Sequence, residues 1–335
     1  MRTSDFDYHL PPDFIAQTPI EPRDASRLLV LNRATGTVAH HVFRDLPDLL
    51  SPGDLLVLNQ TRVLPARLHA RKVPTGGRVE LLLLKRLAPR RWEVLVGGKG
   101  LSPGRRLAVE GGPTAGIVED LGGSRRVVEF CEPITPVLER VGEMPLPPYI
   151  HEPLRHPGRY QTVYAREPGS AAAPTAGLHF TPELLERLSR RGLELAWVTL
   201  HVGLDTFAPV VEDDPMEHTI HSEWCRLPPA TADAVNAARR RGARVVAVGT
   251  TTARTLESAV QADGQLRPLE GPTHLYILPG YLFRAVSALI TNFHLPRSTL
   301  LMMVCAFAGR ERILEAYRIA MEHGYRFYSF GDAML

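Results

Sequence analysis

Between Leu68 and Pro148 the texture of this chain changes, and that change limits the available folds more than any other feature of the sequence. Short apolar runs (Val79 to Leu84, Trp92 to Val96, Leu107 to Val109, Val127 to Phe130) alternate with the glycine turns Thr75-Gly76-Gly77, Val96-Gly97-Gly98-Lys99-Gly100 and Leu121-Gly122-Gly123. No long helical period passes through them, so the segment reads as a small all-β module, a barrel, set inside the chain. Before it come two strands, Ser26 to Leu31 and Asp54 to Asn59, and after it the grammar is helix, glycine, strand, polar loop. The expected fold class is therefore α/β: a discontinuous main α/β domain of residues 1–67 plus 149–335, with an inserted all-β barrel domain at 68–148. A length of 335 residues can bury a large core and favours two domains.

Within the α/β part, polar residues cluster just past apolar strands, where open α/β sheets place their ligands. Asp54-Leu55-Leu56-Val57-Leu58-Asn59 runs into Gln60-Thr61-Arg62, and Arg244 to Val248 runs into Gly249-Thr250-Thr251-Thr252-Ala253-Arg254, which opens a helix. Ala288-Leu289-Ile290-Thr291-Asn292-Phe293-His294 repeats the pattern. A loop of small residues, Pro168 to Ala176, leads to His179, Phe180 and a helix start with Thr181 as cap and Pro182 at the first position. Such a loop lets backbone approach a ligand closely, and a helix N-terminus suits an anion or a polar small molecule. His179, His201 and His294 all fall at or beside strand ends or loop exits, and imidazole exchanges protons near neutral pH. The carboxylates and His218-Thr219-Ile220-His221 within residues 212–223 offer a rival, a divalent metal site, although Pro215 interrupts the helical turn and no matched third ligand is evident. No Gly-Lys phosphate loop, no G-x-G-x-x-G after a strand and no G-x-S-x-G elbow occurs.

Composition narrows the classes. Hydrophobic residues are 44% and charged residues 22%, and no apolar run approaches the ~18 residues of a membrane span. The acidic opening Met1 to Asp7 lacks the apolar core of an export signal. Cys131, Cys225 and Cys305 lie far apart without a CxxC pair, as expected in a reducing cytoplasm. The formal charge of +3 does not by itself argue for nucleic acid. Lys72, Lys85 and Lys99 are the only lysines, and all three lie in the barrel segment. The arginine excess fits recognition of phosphates and bases by planar, bidentate guanidinium, but codon bias, with Ala, Pro and Gly also abundant, is the better account of it.

Taken together, the blocks resemble a known family. Asp54 to Arg67, Met144-Pro145-Leu146-Pro147-Pro148-Tyr149-Ile150, Tyr160-Gln161-Thr162-Val163-Tyr164, Ala173 to Phe180, His201-Val202-Gly203, Val248-Gly249-Thr250-Thr251, Thr291 to Pro296 and Gly331-Asp332-Ala333-Met334 stand in the order seen in the S-adenosylmethionine:tRNA ribosyltransferase-isomerase family of queuosine biosynthesis. The resemblance implies an α/β domain with an inserted barrel. It also implies transfer and isomerisation of the ribosyl part of S-adenosylmethionine onto the aminomethyl-7-deazaguanine (preQ1) wobble base of tRNA, giving epoxyqueuosine and releasing adenine and methionine. Its partners would be S-adenosylmethionine and that tRNA, with no membrane, and the protein a cytoplasmic monomer. A sulfonium acidifies the neighbouring ribose carbon itself, so no cofactor or metal is expected and S-adenosylmethionine is consumed as a substrate. Acid and base roles then fall to His179, His294 and His201, and substrate binding to Asn59, Thr61, Arg62, Tyr164, Thr175, Phe180, Thr250, Thr251, Arg254 and Asn292. Arg62 or Arg254 would clamp the methionine carboxylate, and Phe180 or Tyr164 would face the sulfonium or a base. The chain departs from the family at Asp205, where glycine is usual, and at Ser170-Ala171, where Ala-Val is usual. A metal-dependent hydrolase and a non-catalytic RNA-binding module are the alternatives.

Overall fold

The structure, a computed structural model, describes residues 1–203, 209–220 and 222–335. The chain divides into two compact units, Met1–Arg62 with Pro148–Glu167 and Ala173–Leu335, and Val63–Pro147 with Pro168–Ala172.

The first unit is built on a mixed nine-stranded sheet. In chain order its strands are β1 (Arg27–Leu31), β2 (Val38–Val42), β3 (Leu55–Asn59), β4 (Glu194–Leu200), β5 (Glu223–Leu227), β6 (Val245–Val248), β7 (Leu269–Thr273), β8 (Ala288–Asn292) and β9 (Ala333–Met334). Across the sheet they run β7-β5-β4-β3-β6-β8-β9-β1-β2. The central four, β4, β3, β6 and β8, are mutually parallel. Central parallel strands are covered on both faces, which is why β3 and β6 are apolar at every position up to Asn59 and Val248. Period-two alternation sends Leu55, Val57, Val245 and Ala247 into one core and Leu56, Leu58, Val246 and Val248 into the other.

Five helices of nine or more residues cover the faces: α1 (Pro182–Arg190), α2 (Pro229–Arg240), α3 (Thr250–Ser258), α4 (Thr299–Ala308) and α5 (Arg310–Glu322). α1 starts as its sequence dictates, with the Thr181 side chain accepting the Leu184 amide at 3.1 Å. It buries Leu184 and Leu188 on the second core, worth about 1.5–3 kcal/mol each. α2 to α5 pack against the opposite face. The apolar run Leu195 to Val202 suggests a longer β4, but its pairing with β3 ends at Val198 and the strand itself at Leu200, while the His201 amide still donates to the Trp224 carbonyl of β5 at 3.0 Å.

The second unit is a closed antiparallel barrel. Its strands Arg67–Val73, Arg78–Arg86, Arg91–Gly97, Arg125–Phe130, Thr114–Asp120 and Arg106–Val109 pair in that order, and the last pairs back to the first. Alternate residues point inward, so Leu68, Leu81, Val94, Leu107, Ile117 and Val128 form one core. The strand Thr114–Asp120 is absent from the apolar runs of the sequence because Gly116 and the acidic pair Glu119-Asp120 dilute its pattern. Among the described residues no helix is long and apolar enough to cross a membrane.

Candidate functional site

The parallel strands β3, β6 and β8 deliver Asn59, Gly249 and Asn292 at their carboxyl ends. Asn59 is a clasp. Its amide nitrogen donates to the Leu200 carbonyl at 3.0 Å and to the Thr251 hydroxyl at 3.2 Å, while its side-chain oxygen accepts the amides of Leu200 and Thr61, both at 3.1 Å. One buried side chain thereby ties β3, the end of β4 and the start of α3 together. Gly249 precedes α3 with φ of +88°, a region that strains side-chain-bearing residues, and an added Cβ would lie 3.7 Å from Ala176.

Above these strand ends opens a cleft whose lining combines small, polar and aromatic residues, the mixture usual for small-molecule sites. The small-residue loop contributes Ala173, Pro174, Thr175 and Ala176; α3 contributes Thr250 and Thr251; the segment after β8 contributes Thr291 to Leu295. Tyr149, Tyr328 and Ser329 complete the wall. The first-turn amides of α3 have no intrahelical acceptors, so the cleft meets the positive end of a nine-residue helix. The sequence pointed to the helix beginning at Thr181 for this role. That start is closed, because Thr181 caps itself and Phe180 is fully buried.

The three histidines occupy different surroundings. His294 lines the cleft, with Nε2 2.7 Å from the Thr291 hydroxyl and its backbone amide donating to the Tyr317 hydroxyl at 2.9 Å. Burial pulls its pKa down to about 3. His179 stands behind Asn292: the Asn292 amide donates to its Nε2 at 3.2 Å, which puts the ring proton on Nδ1, 2.8 Å from the Ser26 hydroxyl. Its ring lies 5.0 Å from that of Phe43, and burial, then Arg326 and Arg23, pull its pKa to about 3. His201 stacks on Trp224 at 5.1 Å and bonds through Nδ1 to the Thr61 hydroxyl at 2.8 Å, with burial lowering its pKa to about 4. All three rings are neutral at physiological pH.

Asn292 links these parts. Its oxygen accepts the Thr175 hydroxyl at 2.9 Å, and its amide also reaches the Tyr328 carbonyl at 3.2 Å. Tyr328 holds φ of +68°, which is unfavourable for an aromatic residue and tends to occur at functional sites. Of the remaining sequence candidates, Arg62 is exposed, and Thr61 is buried beside Asn59 and His201. Arg254 is buried in an ion pair with Glu223, and its Nε donates to the Leu275 carbonyl at 3.1 Å. Tyr164 and Phe180 pack away from the cleft in the second core, where a Cβ on Gly177 would come within 2.1 Å of the Tyr164 hydroxyl. The aromatic wall of the cleft is Tyr149, Phe293 and Tyr328 instead. Tyr149 and Phe293 stood in motifs already singled out, whereas no local signal marks Tyr328.

In residues 212–223, His218 Nδ1 meets Glu212 at 2.9 Å and Glu223 is committed to Arg254 and to the Gly203 amide, 2.9 Å away. Among the described residues no three groups of metal-ligand type gather. His221 and the departure at Asp205 lie outside the described residues.

Comparison with known proteins places this geometry. A family model described as queuosine biosynthesis protein matches residues 3–335. The chain is 58% identical over 341 residues to the S-adenosylmethionine:tRNA ribosyltransferase-isomerase of Symbiobacterium thermophilum, an alignment covering 100% of this chain and 99% of the relative. It is 56% identical over 345 residues, with the same coverage, to the protein of that name from Moorella thermoacetica. It is also similar to the crystal structure of an S-adenosylmethionine tRNA ribosyltransferase from Thermotoga maritima, at 42% identity, 99% coverage of both chains and a TM-score of 0.58.

Proposed function

The chain belongs to the queuosine biosynthesis protein family, and we propose that it transfers and isomerises the ribosyl moiety of S-adenosylmethionine onto the preQ1 wobble base of tRNA, giving epoxyqueuosine-tRNA with release of adenine and methionine. The observation that carries this reading is end-to-end identity of 58% to a relative bearing that activity in its name. The cleft supports it, since a polar nucleoside needs both hydroxyl and amide partners and an apolar wall, and Thr175, Thr250, Thr251, Asn292 and Tyr149 supply these together.

The sulfonium makes the adjacent ribose carbon acidic, so the protein must remove a proton there, give one to departing adenine, and hold the reactants in line. His294, on the cleft wall and neutral, is the candidate base. His179 acts through Asn292 as a positioning residue, its Nδ1 proton fixed by Ser26. His201, with Thr61, is the second candidate for the proton delivered to adenine. Arg254 is a poor clamp for the methionine carboxylate, because Glu223 already offsets its charge. The three cysteines carry no disulfide, which supports a reducing compartment, and we take the protein to act as a cytoplasmic monomer.

The test is incubation with S-adenosylmethionine and preQ1-tRNA, with chromatography for free adenine and mass spectrometry of the digested tRNA for epoxyqueuosine. Tight tRNA binding without adenine release would favour a binding module, and loss of turnover with chelator a metal-dependent enzyme.

A further inference from the structure

Behind the cleft the first unit contains a second, narrow recess that opens to solvent, walled by Pro19, Ile20, Arg23, Arg159, His179 and the turn Ser329-Phe330-Gly331. Two features set it apart. Its cations are held in place mainly by backbone carbonyls. Arg23 donates from Nη1 to Leu178 at 3.2 Å and from Nη2 to Gly158 at 2.8 Å, and Arg159 donates from Nη2 to Ile20. A carbonyl orients a guanidinium without cancelling its charge. The carboxylate paired here is Glu21, 3.2 Å from Arg159, and its side chain is 75% exposed, so its attraction is largely screened. Arg326 adds a third positive charge near His179. Its Nη1 reaches the Thr18 carbonyl at 3.1 Å, and its Nη2 is buried with no hydrogen-bond partner. Asp332, the nearby buried carboxylate, is engaged by the backbone amides of Arg27 and Arg326, both at 2.8 Å. Crowding is visible in Arg23, whose pKa falls to about 10 through burial and then the charge of Arg159.

The second feature is position. Ser329 lines both recess and cleft, and the partition between them is the hydrogen bond from Asn292, on the cleft side, to His179, on the recess side. A group bound in the recess is thus one side chain away from whatever occupies the cleft. Half-buried guanidiniums fixed by carbonyls, and offset only by the exposed Glu21 carboxylate, recognise oxyanions, which accept two parallel N–H bonds.

We propose that this recess is an oxyanion subsite adjoining the reaction cleft, in which Arg23 and Arg159 hold a phosphodiester or carboxylate of a substrate seated in the cleft. The inference rests on the proposed reaction, whose substrates bring both groups: the phosphodiesters flanking the wobble nucleotide, and the carboxylate of S-adenosylmethionine.

The experiment compares wild type with Arg159→Gln and Arg159→Lys, chosen because Arg23 also anchors two carbonyls and its loss would disturb the fold. Adenine release is followed while each substrate is varied in turn. Arg159→Gln is expected to raise the KM of one anionic substrate on the order of tenfold with kcat within about twofold, and Arg159→Lys to recover part of that loss. A rise confined to tRNA identifies the phosphodiester, and one confined to S-adenosylmethionine the carboxylate. Unchanged KM for both overturns the subsite while leaving the reaction standing. If wild type releases no adenine, the reaction is what fails, and titration with inorganic phosphate decides the recess: equal affinity in wild type and Arg159→Gln overturns it, and weaker binding in the variant sustains it.

Discussion

The two units of this chain divide its charge unequally. Residues 63–147 carry 14 Lys and Arg against 9 Asp and Glu, whereas the rest of the sequence carries 25 against 27. The modest formal charge of +3 conceals a basic barrel and a slightly acidic α/β unit. Histidines divide the other way. The barrel unit has only His69, half exposed beside Glu143 at 3.3 Å, while the α/β unit buries His179 and His294 as neutral rings. The cleft of polar hydroxyls, amides and imidazole is made wholly of α/β-unit residues. Such a division suits a protein in which one region handles proton transfer and another supplies long-range attraction for a polyanion.

The largest effect that would break this division is chemical. His294→Ala is expected to lower kcat by about 10²–10⁴-fold, the usual contribution of a positioned acid or base, while binding of S-adenosylmethionine measured by calorimetry changes little. Normal turnover would remove His294 from the chemistry. Next comes acid sensitivity. An unfolded imidazole takes a proton near its ordinary value of 6.5, but buried His179 and His294 resist it until about pH 3. Stability is therefore whole above pH 6.5 and falls as pH drops below it, by on the order of 3 kcal/mol per histidine at pH 4.5. The barrel has no such group, so acid should unfold the α/β unit first. Trp92 reports on the barrel, and Trp197 and Trp224 on the α/β unit. Variants keeping only one set of tryptophans would separate the two transitions in urea at pH 7 and 4.5. An equal acid shift in both would refute the assignment.

What the sequence made legible follows from how local each signal is. The barrel was readable because alternation and glycine turns are short-range features that survive without knowledge of partners. The cleft was readable as a set of strand ends, since Asn59, Gly249 and Asn292 each follow an apolar run that has to be a buried strand. Partnership was not readable. Arg254 looked available for a ligand, but Glu223, 31 positions away, meets it in the core. Tyr164 and Phe180 looked like stacking surfaces, yet their rings pack around the turn that Gly177 allows. Nothing local separates His294 on the cleft wall from His179 behind Asn292. That difference arises from which partners each ring meets, Thr291 for His294 and Asn292 for His179, and the second appears only when residues 113 positions apart are brought together.

The smallest expected effect sharpens the electrostatic half of the comparison. At one end of the barrel Arg71 stands across from Arg78, Arg106 stands across from Val73, and Lys72 donates to the Lys99 carbonyl. Arg71 is paired with Glu110 at 3.0 Å, but among the described residues Arg78, Lys99 and Arg106 have no ion pair. By contrast Arg67, Arg90, Arg91, Arg125 and Arg126 on the same barrel are all matched with carboxylates. If the unmatched group meets tRNA phosphates, each single neutralisation, Arg78→Gln, Lys99→Gln or Arg106→Gln, should raise the KM for tRNA about two- to fivefold. The slope of log KM against log salt should fall by about one for each phosphate left without its cation, with kcat and the KM for S-adenosylmethionine unchanged. Neutralising the matched residue Arg91 is the control and should do less, because its guanidinium is already engaged by Glu129. A salt slope that stays constant through the triple variant would mean that the barrel's excess charge is not spent on RNA.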